Sequence, residues 1–251
     1  MISKEQSIQE QGYFFPYHYL DLKSDEHRFF LHLEYLGYLR LVKKLIEPFN
    51  GQRILDAGCG DGRFCYELRK ENVKLVGVDY SPAAIAWAKL FNPGIEFYAQ
   101  DLKDLNVSNA FDVICFIETL EHIIPEAIPS VLALLSERLK ANGKLIITVP
   151  SVKMPLIPKH YQHFSVESLT KALDGYFTIE KVYGTTLSNA KSKFFYLMLE
   201  FAGLFFCLRR RIKSIDRILI LLEDYYYKNF QVGDMSDAKR IVAVCRKVQK
   251  P

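Results

Sequence analysis

Glu118, Glu121 and His122, in the stretch ETLEHI, stand at i, i+3 and i+4, a spacing that gathers two carboxylates and an imidazole on one helical face. Such a set can take a proton from a hydroxyl or a protonated amine held against it. Upstream, ILDAGCGDGRF at residues 54 to 64 puts Gly58, Gly60 and Gly62 at every second position behind Asp56. Glycines so spaced press backbone N–H groups and a bare chain surface against a ligand. The pattern suits a nucleoside. It is G-x-G-x-G where dinucleotide sites favour G-x-G-x-x-G, and it lacks the Lys and Ser or Thr that end a phosphate-binding loop.

The elements that must position these residues follow from a change of rhythm along the chain. Residues 25 to 46 carry apolar side chains at helical spacing, with Ser24 as a candidate cap and Pro48 as a stop. Short apolar runs come next: RILDAG, KLVGVD, IEFYAQD, FDVICFIE and GKLIITVPS. Between them lie GRFCYELRKEN, SPAAIAWAKLF and IPSVLALLSERLKAN, which suit helices. This alternation predicts an α/β fold, a parallel sheet with helices on both faces. YFTIEKVYG at 176 to 184 and RIVAVCRKV at 240 to 248 read as two more strands, separated by about 55 residues with two apolar helical segments. Ligands of such sheets bind at the carboxyl ends of the strands, where Asp79 ends the second run and Asp101 the third. A carboxylate at the first position can accept bonds from both hydroxyls of a ribose, and one at the second can meet an adenine amino group.

Taken with FDVICFIETLEHI after the fourth strand, this series resembles the class I S-adenosylmethionine-dependent methyltransferases over roughly residues 40 to 184 plus the final strand. The resemblance implies a Rossmann-like, seven-stranded, mostly parallel sheet with a reversed final hairpin, S-adenosylmethionine as cofactor and S-adenosylhomocysteine as product. It implies Asp56 near the methionine amino group, Gly58 and Gly60 beneath the sugar and methionyl chain, Asp79 on the ribose hydroxyls, and Asp101 and Leu102 at adenine, with Tyr80 and Ile117, at the end of the fourth strand, as further cofactor-binding residues. His122 is then the candidate general base and Glu118 a substrate or metal contact. The E-x-x-E-H set resembles that of the O-methyltransferases of ubiquinone biosynthesis, where it can bind a divalent metal. It also resembles the small-RNA 2′-O-methyltransferases, for which His160 or His163 of HYQHFS would supply a distal histidine. No metal is assigned here: relatives carry a similar turn without one, and Mg²⁺ prefers oxygen ligands to histidines.

The division expected is an N-terminal lid and helix at 1–48, a cofactor-binding core at 49–184 and 239–251, and a helical insertion at 185–238. Tyr13, Tyr17 and His18, in GYFFPYHYLDL, are candidate substrate contacts, on a segment that is either a lid or an apolar staple against the core. The insertion, with FFYLMLEFAGLFFCL, IDRILILLEDYYYKNF and the basic run RRRIK between them, suits a second copy of the chain first and a lipid-like acceptor or membrane surface next. Its first apolar stretch, 194 to 208, is too short for a bilayer span and contains Glu200. A net charge of +4 makes nucleic acid an unfavoured partner. Five cysteines, odd in number and without a CxxC pair, favour a reducing compartment, and the start MISKEQSIQEQ does not read as a secretory signal. The expected location is the cytoplasm, with membrane association left open. The expected reaction is O-methylation of a small or lipid-like hydroxylated acceptor, with N-methylation of a small amine next and a nucleoside-binding scaffold as the non-enzymatic alternative.

Overall fold

The structure, a computed structural model, describes residues 4–19, 29–107, 110–208 and 215–248. Ser24 and the basic run at 209–213 lie outside the described residues. Among the described residues, eight strands, β1 (Arg53–Ala57), β2 (Lys74–Asp79), β3 (Glu96–Ala99), β4 (Phe111–Ile117), β5 (Leu139–Pro150), β6 (Phe177–Leu187), β7 (Val232–Gly233) and β8 (Ala238–Lys247), form one sheet in the order β3-β2-β1-β4-β5-β8-β6-β7. The first five run parallel, and β8 lies antiparallel between β5 and β6. The expected seven strands and reversed hairpin are all present. The eighth, β7, has two residues and borders β6 at the sheet edge, too short to leave an apolar pattern.

Eight helices accompany the sheet among the described residues: α1 (Lys4–Gly12), α2 (Phe29–Ile46), α3 (Arg63–Leu68), α4 (Pro82–Phe91), α5 (Ile128–Arg138), α6 (Val166–Leu173), α7 (Ala190–Leu208) and α8 (Ile215–Phe230). Local chemistry sets several of their ends. Ser81 caps α4 by accepting the Ala84 N–H at 2.9 Å, with Pro82 at the first helical position. Ser165 and Ser168 close a reciprocal capping box on α6. Two segments are shorter than their patterns suggested. The helix after the glycine turn stops at Leu68, and Leu139 to Asn142, expected to end α5, opens β5 instead, where Leu139 pairs with Phe111.

Alternation along the strands divides the core. Leu55, Ala57, Ile114 and Phe116 face α5 and α6, whereas Ile54, Val113 and Cys115 face α2, α3 and α4. A third cluster, Leu33, Phe195, Leu199, Tyr226 and Phe230, fastens α7 and α8 to α2. Because β1 connects to β2 on one side and pairs with β4 on the other, the sheet reverses its order at the β1/β4 boundary, and the crevice opens there.

Candidate active site

A cavity of about 560 Å³ lies at the carboxyl ends of β1, β2 and β4, within the size range of small-molecule sites. One end of it is built by the glycine turn. Gly58, Gly60 and Gly62 all have positive φ, which leads the chain sharply from β1 into α3. A Cβ on Gly58 would stand 2.3 Å from Thr119 Oγ1, and one on Gly60 would stand 2.6 Å from the Tyr13 hydroxyl. Gly62 instead lets α3 approach Ala88 and Asn92 of α4. The turn is therefore bare partly to clear the protein's own side chains.

Asp79 is 4% exposed and binds the turn directly, its Oδ2 accepting the Gly60 N–H and its Oδ1 the Ser81 N–H, both at 2.9 Å. Burial lifts its pKa to about 6 against the pull of those two bonds. Asp56, at the end of β1, is lifted further, to about 7, by burial, with the Cys65 thiol donating at 3.5 Å in opposition. Asp101 Oδ1 accepts the Lys103 N–H at 3.0 Å and starts the short turn that brings Leu102 to the wall. Tyr80 and Ile117 complete this end. A carboxylate at each of three adjacent strand ends, around a turn without side chains, fits a ligand with a cation, a diol and a polar ring edge, as S-adenosylmethionine has.

The other end gathers Glu118, Glu121, His122 and His160. They do not share one helical face. Glu118 sits at the end of β4 with φ of 48°, and only Leu120 to His122 forms a turn of 3₁₀ helix. The Glu118 carboxylate is held by Arg240, whose Nε donates at 2.9 Å, and by Thr148, whose hydroxyl donates at 3.0 Å. Glu121 is fully buried and neither of its oxygens has a hydrogen-bond partner. Burial, reinforced by Glu118, drives its pKa well up and favours the neutral acid. His122 Nδ1 donates to the Lys159 carbonyl at 2.9 Å, leaving the Nε2 lone pair free. Burial lowers its pKa to about 4, so the ring is neutral at pH 7. His163 Nδ1 donates to the Met154 carbonyl at 3.0 Å and its Nε2 accepts from His160 Nδ1 at 2.8 Å, which again leaves an Nε2 free, on His160. His160 is pushed down to about 3, again mainly by burial. Its ring meets that of His122 edge to face at 4.6 Å, while His163 stands behind it, off the cavity wall.

One ligand atom each from Glu121, His122 and His160 lie within 4.8 Å of one another, and Glu118 stands outside that group. A buried carboxylate without partners beside two imidazoles with free lone pairs fits a divalent ion that accepts nitrogen ligands, zinc or manganese before magnesium.

The N-terminal segment covers the cavity. Gln6, Gln9, Tyr13, Tyr17 and His18 line it. His18 Nδ1 meets Asp61 Oδ1 at 3.0 Å, Trp87 Nε1 donates to the Tyr13 carbonyl at 3.0 Å, and Tyr80 donates to the Gln6 carbonyl at 3.0 Å. On the far side Tyr161 donates to Glu5 at 2.9 Å. The segment thus touches both ends of the site. Arg240, Thr148, Glu34 and Lys159 carried no motif, because each reaches the site from another element, and Asp61 stood inside the glycine turn without a role of its own. The positive φ of Glu118 is likewise a tertiary effect.

A family profile described as "Methyltransferase domain" matches residues 25–176. The chain is similar to the mitochondrial ubiquinone biosynthesis O-methyltransferase of Schizosaccharomyces pombe, 32% identical over 123 residues that cover 46% of this chain and 44% of the relative. It is also similar to the ubiquinone biosynthesis O-methyltransferase of Mesorhizobium japonicum, 33% identical over 151 residues, 51% of this chain and 60% of the relative. The match spans about half the length of these curated relatives. Among solved structures, the N-methyltransferase NodS of Bradyrhizobium japonicum in complex with S-adenosylhomocysteine superposes with a TM-score of 0.60 at 14% identity, covering 98% of this chain and all of that one. The magnesium protoporphyrin IX methyltransferase of Synechocystis with bound S-adenosylmethionine gives 0.57 at 18%, covering 74% and 92%. At those identities the two structures share the fold.

Proposed function

The chain belongs to the class I S-adenosylmethionine-dependent methyltransferases, and from that premise we propose that it methylates a hydroxyl oxygen of a small or lipid-like acceptor. The observation that carries this reading is the free Nε2 lone pair of His122, held neutral beside the buried Glu121 at the end of the cavity away from the glycine turn. The cofactor, when bound, supplies a methyl carbon made electrophilic by its sulfonium. Asp79 then accepts the ribose hydroxyls, Asp101 and Leu102 border the adenine, and Asp56 faces the amino group. The acceptor oxygen, held at the His122 end of the cavity, would give its proton to His122 Nε2 as it takes the methyl group, with the sulfur keeping the electron pair of the broken bond and S-adenosylhomocysteine released.

The test is calorimetric titration with S-adenosylmethionine and S-adenosylhomocysteine, followed by a panel of catechols and small amines with thioether release as readout. Release with hydroxylated probes, reduced by roughly a hundredfold or more in His122→Ala at unchanged cofactor affinity, is the expected result. Release with amines alone would move the reading to N-methylation, and a folded protein that binds neither nucleoside would be a scaffold.

A second reading takes Glu121, His122 and His160 as holding a divalent ion against the acceptor oxygens. Their unpartnered carboxylate and free lone pairs favour it, and chelator-sensitive binding heat for Zn²⁺ or Mn²⁺ would test it. We assign the N-terminal segment to a lid over the cofactor. The outer face of the insertion, where Phe194, Leu197, Met198, Leu221 and Tyr225 are exposed, is assigned to a second copy of the chain. No helix among the described residues is long and apolar enough to cross a membrane.

A further inference from the structure

Three described cations with long side chains line the cavity, and two are already answered. Lys103 pairs with Asp101 at 3.4 Å, near the adenine end, and Arg240 pairs with Glu118 at 2.9 Å. Lys159 differs. Its side chain is partly buried, and its ammonium has no hydrogen bond or ion pair with any described residue. Its main chain is nonetheless fixed. The Lys159 carbonyl accepts the His122 Nδ1–H at 2.9 Å, and two residues on, the Tyr161 N–H donates to the Glu121 carbonyl at 2.9 Å. The loop that carries the lysine is thereby pinned to the turn that carries the candidate base.

An ammonium withdrawn from water gains from a negative partner, and the cavity supplies none in contact with it. We propose that Lys159 is a catalytic residue whose ammonium holds the ionised oxygen of the acceptor while His122 takes that oxygen's proton. The inference rests on the O-methyltransfer reading. It adds the group that stabilises the charge which forms there, a cation carried to the cavity by a loop whose main chain is pinned. The charged and titratable groups around it are consistent with that task. Glu121 and His122 come from the 3₁₀ turn, Glu118 from the end of β4, His160 from its own loop and Arg240 from β8. Burial lowers the lysine's own pKa, while Glu121 and Glu118 favour its charged form.

The test uses 4-nitrocatechol, whose absorbance reports its ionisation, bound to the full chain saturated with S-adenosylhomocysteine. EDTA is present so that no metal stands in for the lysine. In the wild type, bound nitrocatechol should ionise about one pH unit or more below the free compound, the scale of a nearby unit charge. Lys159→Met should lose that shift at unchanged S-adenosylhomocysteine affinity, and Lys159→Arg should recover most of it. An equal shift in Lys159→Met, or nitrocatechol that does not bind, overturns the proposal. Methyl transfer to unsubstituted catechol is measured separately. Transfer by the wild type together with an unmoved shift in Lys159→Met would remove the lysine's role and leave the O-methyltransfer reading standing. A catechol that stays unmethylated while amines react would remove the reading itself.

Discussion

Asp79 holds the glycine turn and, in the proposed site, also receives the ribose, so one substitution removes both contacts. Both carboxylate oxygens already accept backbone N–H groups, so Asp79→Ala leaves Gly60 and Ser81 donors unpaired, at a cost of ~1–3 kcal/mol each, as well as removing the ribose acceptor. We expect cofactor affinity to fall at least tenfold by calorimetry, with a visibly lower melting temperature, whereas a strand end facing solvent would have spared stability. Asp56 and Asp79 also predict a pH dependence. Their pKa values rise from 3.8 to about 7 and about 6, so the folded, cofactor-free protein holds protons that the unfolded chain releases. Stability should therefore decline as pH climbs through that window. In the proposed site, cofactor binding occurs with both groups ionised. It should tighten over the same range and release protons, which titration in buffers of different ionisation enthalpy would count; binding without proton release would contradict the assignment. These residues were legible in the sequence because each stands at the end of an apolar run. Their burial was not, since it comes from other elements packed over the strand ends.

At the scale of elements, the N-terminal segment makes the sharpest prediction. The chain has a single tryptophan, Trp87 on α4, and its indole donates to the Tyr13 carbonyl. Its emission should report whether the segment is down. His18→Ala, which removes the bond to Asp61, should shift the emission of the free protein to longer wavelength and speed cofactor release by about tenfold. Unaltered emission and release would show that the remaining contacts of the segment hold it without the His18 imidazole. Sequence periodicity found the seven longer strands, α2 to α5 and the two insertion helices α7 and α8, the elements with clear apolar rhythm, but not the eight-residue α6. It missed α1, which buries no residue and carries no stripe, and it ran α5 past Arg138 because LKAN has no helix breaker before Gly143. The E-x-x-E-H spacing suggested a helix face, but the strand end at Glu118 takes a left-handed conformation that no side-chain pattern announces.

For the whole molecule, the fold was legible because a sheet covered on both faces writes its order into alternating segments, whereas the acceptor end was not, because four separated regions build it. The insertion supplies the testable statement at this scale. Leu197→Glu with Leu221→Glu should convert a dimer to a monomer in sedimentation at unchanged cofactor affinity, and a wild type that sediments as a monomer would withdraw that surface. The place of β8 has a further consequence. The last described strand in chain order lies inside the sheet, between β5 and β6, and it carries the guanidinium that holds Glu118. During vectorial synthesis the nucleoside-binding half can condense early, but β5 and β6 keep open edges until β8 inserts. The strands that face the nucleoside can therefore pair before the guanidinium that holds Glu118 has been made, so the two ends of the cavity are completed at different times.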